Sequence, residues 1–214
     1  MATTTTRRRY SPRLPREERR EQVLDAALRV LAEHGFDGVS MEAVAREADI
    51  AKTVVYDAFG GRRELLQALL ERERKRALAA VAAAIPGEPV GDRDPVDLLV
   101  EGLTRLLEEV RRAPDTWRLI LLPADGTPPS MRDDVERSRA AILGRMEPLV
   151  TWGLGRLGLE HLDAELATYA IFAGAENAAR LTLTRPRRFP PRRIAEFTGE
   201  LVAALGEGGG SRSR

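Results

Sequence analysis

Residues 35–66 decide the fold of this chain, and they read GFDGVSMEAVAREADIAKTVVYDAFGGRRELL. Ser40 is a favourable N-cap for a short helix over about residues 41–48. A three-residue turn, 49–51, separates it from a second short helix over about residues 52–59. Two short helices joined by such a tight turn are typical of the helix-turn-helix motif.

Longer helices flank this pair on both sides. The preceding one runs from Glu17 to about His34, and Gly35 follows where a C-cap glycine is expected. Its inward stripe comprises Val23, Leu24, Ala27, Leu28, Val30 and Leu31. Gly60 and Gly61 end the second short helix, and Arg62 opens a helix that reaches about residue 85.

The second short helix divides into two faces at about 100° per residue. Its apolar arc comprises Ala51, Val54, Val55, Ala58 and Phe59, and the opposite arc comprises Lys52, Thr53, Tyr56 and Asp57. The polar arc therefore offers a cation, a hydroxyl, a phenol and a carboxylate, which suit the base edges and phosphates of a DNA major groove. Arg62 could add a phosphate clamp at the start of the next helix. The alternative is an ordinary solvated helix face.

Residues 17–70 resemble the N-terminal domain of the TetR family of bacterial transcriptional repressors. The most specific segments are GF-x-G-V-S-M-E-A-V-A at 35–45 and V-V-Y-x-x-F-G-x-R-x-E-L-L at 54–66. The resemblance implies that Tyr56 and Arg62 contact phosphates. It also implies that Ser40 meets the DNA backbone at the start of its helix. The residues that it implies face the bases are Lys52, Thr53, Val54 and Asp57. Glu42 lies at a position where some members of the family place a base-reading side chain.

Three departures from the family pattern affect this surface. Asp49 replaces a usual glycine, and the turn should survive because Asp tolerates the left-handed conformation. Ala51 replaces a usual Ser, so the second helix loses an N-cap worth about 1 kcal/mol. Asp57 and Ala58 replace a bulky or basic pair, and an acid there repels phosphate unless it meets a cytosine amino group.

The formal net charge of +1 hides an uneven distribution. Residues 1–76 contain 16 basic and 13 acidic residues, and residues 177–214 contain 8 basic and 3 acidic residues. Residues 88–176, by contrast, contain 10 basic and 17 acidic residues, so the middle of the chain is acidic and both ends are basic. Five arginines precede the first acid, Glu17, so residues 1–16 are predicted to form a disordered basic arm. The arm either lies along DNA or acts as a solubilising tail.

Composition excludes several classes of site. The chain has no Cys and two His, so a thiolate or His-rich metal site and a Ser-His-Asp triad lack their residues. We predict no catalytic residue, no metal and no cofactor. An apolar run long enough for a membrane span is missing from the sequence, which predicts a soluble, cytoplasmic protein without a membrane partner.

The rest of the chain is predicted to be helical, which makes the fold all-α. Helices are expected at about residues 95–112, 114–122, 131–157, 162–184 and 190–206. The predicted organisation is a basic arm (1–16), a helix-turn-helix domain (17–61), a connecting helix with a ligand-binding and dimerisation domain (62–206), and a disordered tail (207–214).

The TetR resemblance implies a two-fold dimer that binds a small-molecule effector through its C-terminal domain. A dimer also suits a pseudo-palindromic operator, because two recognition helices must lie about 34–36 Å apart. The predicted dimer residues are small or apolar at helical spacing: Ala170, Gly174, Ala178, Leu181, Ile194, Phe197 and Leu201. The alternative for them is packing within one chain.

The predicted effector residues combine large apolar walls with two polar anchors. They are Trp117, Leu121, Met146, Val150, Trp152, Tyr169, Phe172, Glu176 and Asn177. Core packing is the alternative for each aromatic residue. Glu176 is expected either to pair with Arg180 at i+4 or to select a cationic ligand.

The sequence thus favours a ligand-responsive, dimeric DNA-binding regulator, more readily a repressor than an activator. An enzyme lacks a catalytic constellation in this sequence. A helical interaction protein without DNA affinity is the third hypothesis.

Overall fold

The computed structural model describes residues 14–87, 91–121, 129–185 and 188–209, with only the backbone described at 129–135 and 208–209. The predicted basic arm lies almost wholly outside these ranges. Within them the chain is helical and contains no strand. The helices are α1 (Arg16–Gly38), α2 (Met41–Glu47), α3 (Lys52–Ala58), α4 (Arg62–Ala84), α5 (Pro95–Arg112), α6 (Pro114–Leu121), α7 (Pro129–Arg156), α8 (Ala164–Leu183) and α9 (Pro191–Gly209). The all-α prediction is confirmed.

The chain divides into two compact units, the head (Met1–Leu69) and the body (Leu70–Arg214). The division falls inside α4, whereas the sequence places a boundary at residue 61, just before that helix. Leu65 and Leu69, in the first two turns of α4, are fully buried. These turns therefore belong to the head.

Local backbone conformation in the head follows from individual residues. Gly35 has φ +69°, which interrupts α1 where the sequence predicts a glycine stop. Ser40 is the N-cap of α2, and its Oγ accepts a hydrogen bond from the Ala43 N–H at 3.1 Å. Asp49 has φ +53°, so it adopts the left-handed conformation that was predicted to preserve the turn. Ala51 is the N-cap of α3 and provides no side-chain hydrogen bond.

The head core is built from the inward faces of its helices. Its fully buried side chains include Val23 of α1, Val44 of α2 and Val55 of α3, and Phe59 after α3 is 1% exposed. Burial of each such side chain contributes about 1.5–3 kcal/mol. In the predicted α1 stripe, Leu28 and Leu31 are only half-buried.

Polar side chains tie the ends of the head helices together. The Arg20 guanidinium donates to the Ala58 carbonyl and lies 4.1 Å from the centre of the Phe59 ring. Gln22 Nε2 donates to the Ala48 carbonyl at 3.2 Å. These side chains of α1 therefore satisfy carbonyls at the C-terminal ends of α2 and α3, which have no partner inside their own helices.

The body core is formed by α4, α5, α6, α8 and α9. Its buried members are Ala77, Leu103, Leu107, Val110, Trp117, Leu121, Ala178, Ala179, Leu183 and Ala195. Close approach of α5 and α9 requires Gly199, because a Cβ there would lie 2.5 Å from Val100 Cγ2. α9 reaches Gly209, three residues into the segment predicted to be a disordered tail. A Cβ at Gly206 would lie 3.6 Å from the Leu157 carbonyl oxygen, so α9 passes close to this residue.

One charged side chain lies fully inside the body. Glu73 of α4 is 0% exposed; its Oε2 accepts from Thr116 Oγ1 of α6 at 2.5 Å. Its Oε1 accepts from Arg72 Nε at 2.8 Å and from Arg76 Nη1 at 3.2 Å. A buried carboxylate is tolerated only with such partners, so Glu73 joins α4 to α6 within the body. Among the residues described, no helix is long and apolar enough to cross a membrane.

The missing cap of α3 gives a first prediction. Ala51 is exposed and extended, with φ −69° and ψ 143°, so a serine there can accept from the Thr53 or Val54 N–H. We expect Ala51→Ser to raise the opening free energy of the α3 amides by about 1 kcal/mol, measured by hydrogen exchange of the full chain.

Ser40→Ala is the matched control, because it removes the equivalent cap of α2 and should lower protection of the α2 amides by about 1 kcal/mol. Unchanged or weaker protection of α3 in Ala51→Ser would contradict the assignment of residue 51 as an uncapped N-cap.

Candidate nucleic-acid interface

The exposed face of α3 carries the polar residues that the sequence placed there. Lys52, Thr53, Tyr56 and Asp57 are all exposed, and 44% of Tyr56 remains accessible. Val55 and Ala58 of the opposite arc are buried, so the division into two faces is confirmed for these residues. Val54 is half-buried at the rim between the faces. Ala51 is exposed, contrary to its place in the apolar arc, because the chain is already extended there.

Two of the predicted DNA-facing residues are ion-paired with each other. Lys52 Nζ donates to Glu42 Oε1, which joins the first residue of α3 to the second residue of α2. Lys52 also lies 5.6 Å from the centre of the Tyr56 ring. The hydrogen bond from Lys52 lowers the pKa of Glu42, and the same bond raises the pKa of Lys52. Both groups are therefore charged at neutral pH. Sequence periodicity gave no sign of this pair.

Arg62 is engaged inside the head rather than extended from it. Its Nε donates to the Val39 carbonyl at 2.7 Å, and its Nη2 donates to the Phe36 carbonyl at 2.7 Å. The side chain thus holds the start of α4 against the segment between α1 and α2. The sequence predicted a phosphate clamp and missed these bonds, because their partners lie 23 and 26 residues away.

The sequence also missed how α3 is held in place. Arg20, which donates to Ala58 and covers Phe59, looks from the sequence like one more charge on a surface helix. The only available signal was its position one turn before the apolar stripe of α1. Because it holds the C-terminal end of α3, Arg20 positions the exposed face without being part of it.

The geometry suits recognition of a groove by one or two turns of helix. α3 has seven residues, so it is about 10 Å long and spans only a few base pairs. Its exposed side chains include donors and acceptors that complement base edges. Among the described residues there is no cluster of His, Asp and Glu that could hold a metal ion.

The nine predicted effector residues differ in their burial. Trp117 and Leu121 lie in the body core, whereas Tyr169 and Asn177 are exposed. The partly buried remainder comprises Met146, Val150, Trp152, Phe172 and Glu176. A small surface cleft of the body is lined by Val110, Arg111, Pro114, Arg118, Thr182, Leu183, Thr184 and Arg185, none of which belongs to the predicted set.

Glu176 has a partner that the sequence did not suggest. Its Oε2 accepts from Arg139 Nη2 of α7 at 2.7 Å, and the Arg139 guanidinium lies 4.9 Å from the centre of the Phe172 ring. Arg180, the expected partner, instead donates through Nε to the Leu121 carbonyl at 3.3 Å. Because the charge of Glu176 is already balanced by Arg139, this carboxylate no longer needs a cationic ligand as its partner.

The predicted dimer residues are split between surface and core. Ala170, Gly174, Phe197 and Leu201 are exposed, whereas Leu181 and Ile194 are half-buried. Ala178 is 5% exposed and belongs to the body core, because α8 turns this part of its small-residue stripe inwards. Large apolar side chains outside the predicted set are also exposed on these two helices: Leu166 (68%), Tyr169 (51%) and Leu205 (56%).

Comparison with known proteins agrees with the geometry of the head. The sequence model described as "Bacterial regulatory proteins, tetR family" matches residues 23–69. The HTH-type transcriptional activator FasR of Mycolicibacterium smegmatis is 27% identical over 179 residues, 84% of this chain and 78% of that protein. The HTH-type transcriptional repressor KstR of Mycobacterium tuberculosis is 30% identical over 125 residues, 56% of this chain and 54% of that protein.

The fold comparison covers nearly the whole chain. A TetR-like transcriptional regulator from Rhodococcus sp. RHA1 superposes with a TM-score of 0.71 and 28% identity, covering 92% of this chain and 100% of that one. These relatives are transcriptional regulators and not enzymes, which confirms the expectation of a non-enzymatic role. Residues 23–69 match the tetR family model, and the chain as a whole has the TetR-like fold of a DNA-binding transcriptional regulator.

Proposed function

We propose that this regulator binds a pseudo-palindromic operator as a homodimer and leaves it when a small-molecule effector enters the body. The observation that carries the proposal is the exposed polar face of α3 beside a buried apolar face. The chain is similar both to a transcriptional activator and to a transcriptional repressor, so these relatives are compatible with activation and with repression. We favour a repressor, because binding to an operator blocks transcription without any further contact.

The proposed DNA contacts follow from where the side chains lie. Lys52, Thr53 and Asp57 are exposed on α3 and are proposed to meet base edges, and Val54 at the rim of this face is proposed to pack on a thymine methyl group. Tyr56 is proposed to donate to a phosphate, and Ser40 to meet the backbone at the start of α2. Arg62 is proposed to donate to a phosphate through guanidinium N–H groups other than those bonded to the Val39 and Phe36 carbonyls. Glu42, which is hydrogen-bonded to Lys52, is proposed to meet the same groove.

The DNA face can be tested by removing two donors at once. The Lys52→Ala plus Tyr56→Phe variant should bind duplex DNA from its own upstream region at least ten-fold more weakly, because each protomer then offers two fewer donors to the duplex. The slope of log affinity against log salt should also become shallower by about 0.9 for each phosphate that is no longer neutralised. Fluorescence anisotropy titrations between about 50 and 200 mM salt measure both quantities.

Lys75→Ala is the matched control, because Lys75 is an exposed lysine of the body that pairs with Glu71 at 3.2 Å. It should leave affinity and salt slope unchanged. Equal binding by the parent protein and the double variant would refute α3 as the DNA-reading helix.

The apolar surface of α8 and α9 supports the proposed dimer. Phe197, Leu201 and Leu205 recur every four residues along α9 and are 64%, 54% and 56% exposed. Leu166 and Tyr169 are exposed apolar side chains of α8. A monomer rarely leaves so many large apolar groups in water, and a second copy would bury them in a self-complementary seam.

A charge within this seam should separate the protomers. We expect Leu201→Arg to weaken self-association at least ten-fold, because an unpaired guanidinium would be buried between the two copies. Sedimentation velocity measures the dimer fraction directly. Glu200→Arg, at the exposed neighbouring position of α9, is the control and should remain as dimeric as the parent. If both variants keep the parent's dimer fraction, the seam lies elsewhere.

The effector is proposed to contact the apolar side chains of the body that the sequence grouped together. Phe172 stands beside the Arg139–Glu176 pair, so an effector that reaches it meets an apolar ring and a polar anchor together. The chain has two tryptophans, and both belong to this set, which makes intrinsic fluorescence a direct reporter of effector entry. A compound that changes this fluorescence without changing operator affinity would not be the effector.

A further inference from the structure

The Glu42–Lys52 ion pair lies on the surface that is proposed to meet DNA. Glu42 lies in the first turn of α2, and Lys52 is the first residue of α3, so the pair bridges the two helices across their turn. The two side chains are 59% and 50% exposed, and the pair is therefore at the surface and not part of the head core. The position of Asp49 in the left-handed conformation sets the turn that brings the two residues together.

This pair changes the charge that α3 presents to DNA. Lys52 is the one lysine of the reading face, and its ammonium group is taken up by a carboxylate and lies near the Tyr56 ring. Asp57 on the same exposed face adds a negative charge. The two carboxylates, Glu42 and Asp57, outnumber the one ammonium group of Lys52, so together they repel phosphate slightly. Electrostatic attraction at this part of the surface therefore adds little affinity for a duplex of arbitrary sequence.

A favourable complex needs a new partner for each member of the pair. A carboxylate in the major groove accepts a hydrogen bond from the amino group of cytosine, and a lysine binds guanine O6 and N7 or a phosphate. Guanine and thymine present no amino group in the major groove, and adenine presents the acceptor N7 beside its amino group. Facing any of these bases, Glu42 would either keep Lys52 or stay close to the DNA without a well-matched donor. An unsatisfied carboxylate at an interface is costly.

We propose that Glu42 is a specificity-determining residue that withholds Lys52 from DNA until a cytosine amino group replaces the lysine as its partner. The inference rests on the proposed placement of α3 in the major groove. It assigns Glu42 a double role, in which it selects one base pair in each half-site and reduces binding to all other DNA.

The test compares Glu42→Gln with the parent in the full-length protein. Glutamine keeps the size and polarity of the side chain but loses the charge that holds Lys52. We expect Glu42→Gln to bind a random-sequence duplex three- to ten-fold more tightly, with the salt slope steeper by about 0.9 for each lysine released. Selection from a randomised duplex library should show that the preference at one base pair of each half-site is relaxed.

Glu47→Gln is the matched control, because Glu47 is also an exposed carboxylate of α2 and pairs with Arg29 at 2.5 Å. It removes the same charge outside the proposed reading face. Equal gains in random-duplex affinity for the two variants would show a general charge effect and overturn the proposal. Unchanged base preference in Glu42→Gln would overturn it as well.

A third variant connects the effect to Lys52. When Lys52→Met is already present, Glu42→Gln should no longer steepen the salt slope, because no lysine is left to release. A slope that steepens equally with and without Lys52 would refute the withholding mechanism. Failure of the underlying function is distinguishable, since the parent protein would then bind no selected duplex at all.

Discussion

The exposed face of α3, which is proposed to meet DNA, depends on the burial of the opposite side of the helix. Val55 is fully buried and Phe59 is 1% exposed, while Arg20 covers the Phe59 ring and satisfies the carbonyl of Ala58. A seven-residue helix has too few internal hydrogen bonds to be stable alone. Its packing against α1 and α2 therefore supplies its stability and also fixes which of its residues face outwards.

Electrostatics on this surface is finely balanced. The chain has almost as many acids as bases, and the one lysine of α3 is paired with a carboxylate. Arg62 is partly committed to the Phe36 and Val39 carbonyls. Attraction to DNA in general is consequently weak at the helix itself. In the proposed function, affinity then comes from matched base contacts and from the two heads of a dimer acting together.

The body divides its apolar residues between a closed core and an open surface. Trp117, Leu107 and Ala178 are packed inside, and Glu73 is accommodated there because Thr116 and two arginines satisfy its oxygens. Phe197 and Leu201 remain in water on α9. Apolar residues with the same helical spacing thus lie in the core in one helix and at the surface in another. Which of the two occurs depends on whether a neighbouring helix packs against them.

The sequence by itself determined what depends on neighbouring residues. Most helix limits, the Ser40 cap, the glycine interruption at residue 35 and the left-handed Asp49 were predictable, because each is set within about one helical turn. The ends of α1 and α9 were not, since α1 continues to Gly38 and α9 to Gly209. The outward direction of Lys52 and Tyr56 followed from helical periodicity in the same way.

Only the tertiary structure decided the contacts that join distant segments. Thr116 and Glu73 are 43 residues apart, Arg139 and Glu176 are 37 apart, and Lys52 and Glu42 are 10 apart across a turn. Periodicity gives the direction of a side chain from its own helix axis, but it does not say which other helix lies in that direction. For this reason the sequence identified the exposed polar face of α3, and the structure revealed that its lysine is held by Glu42.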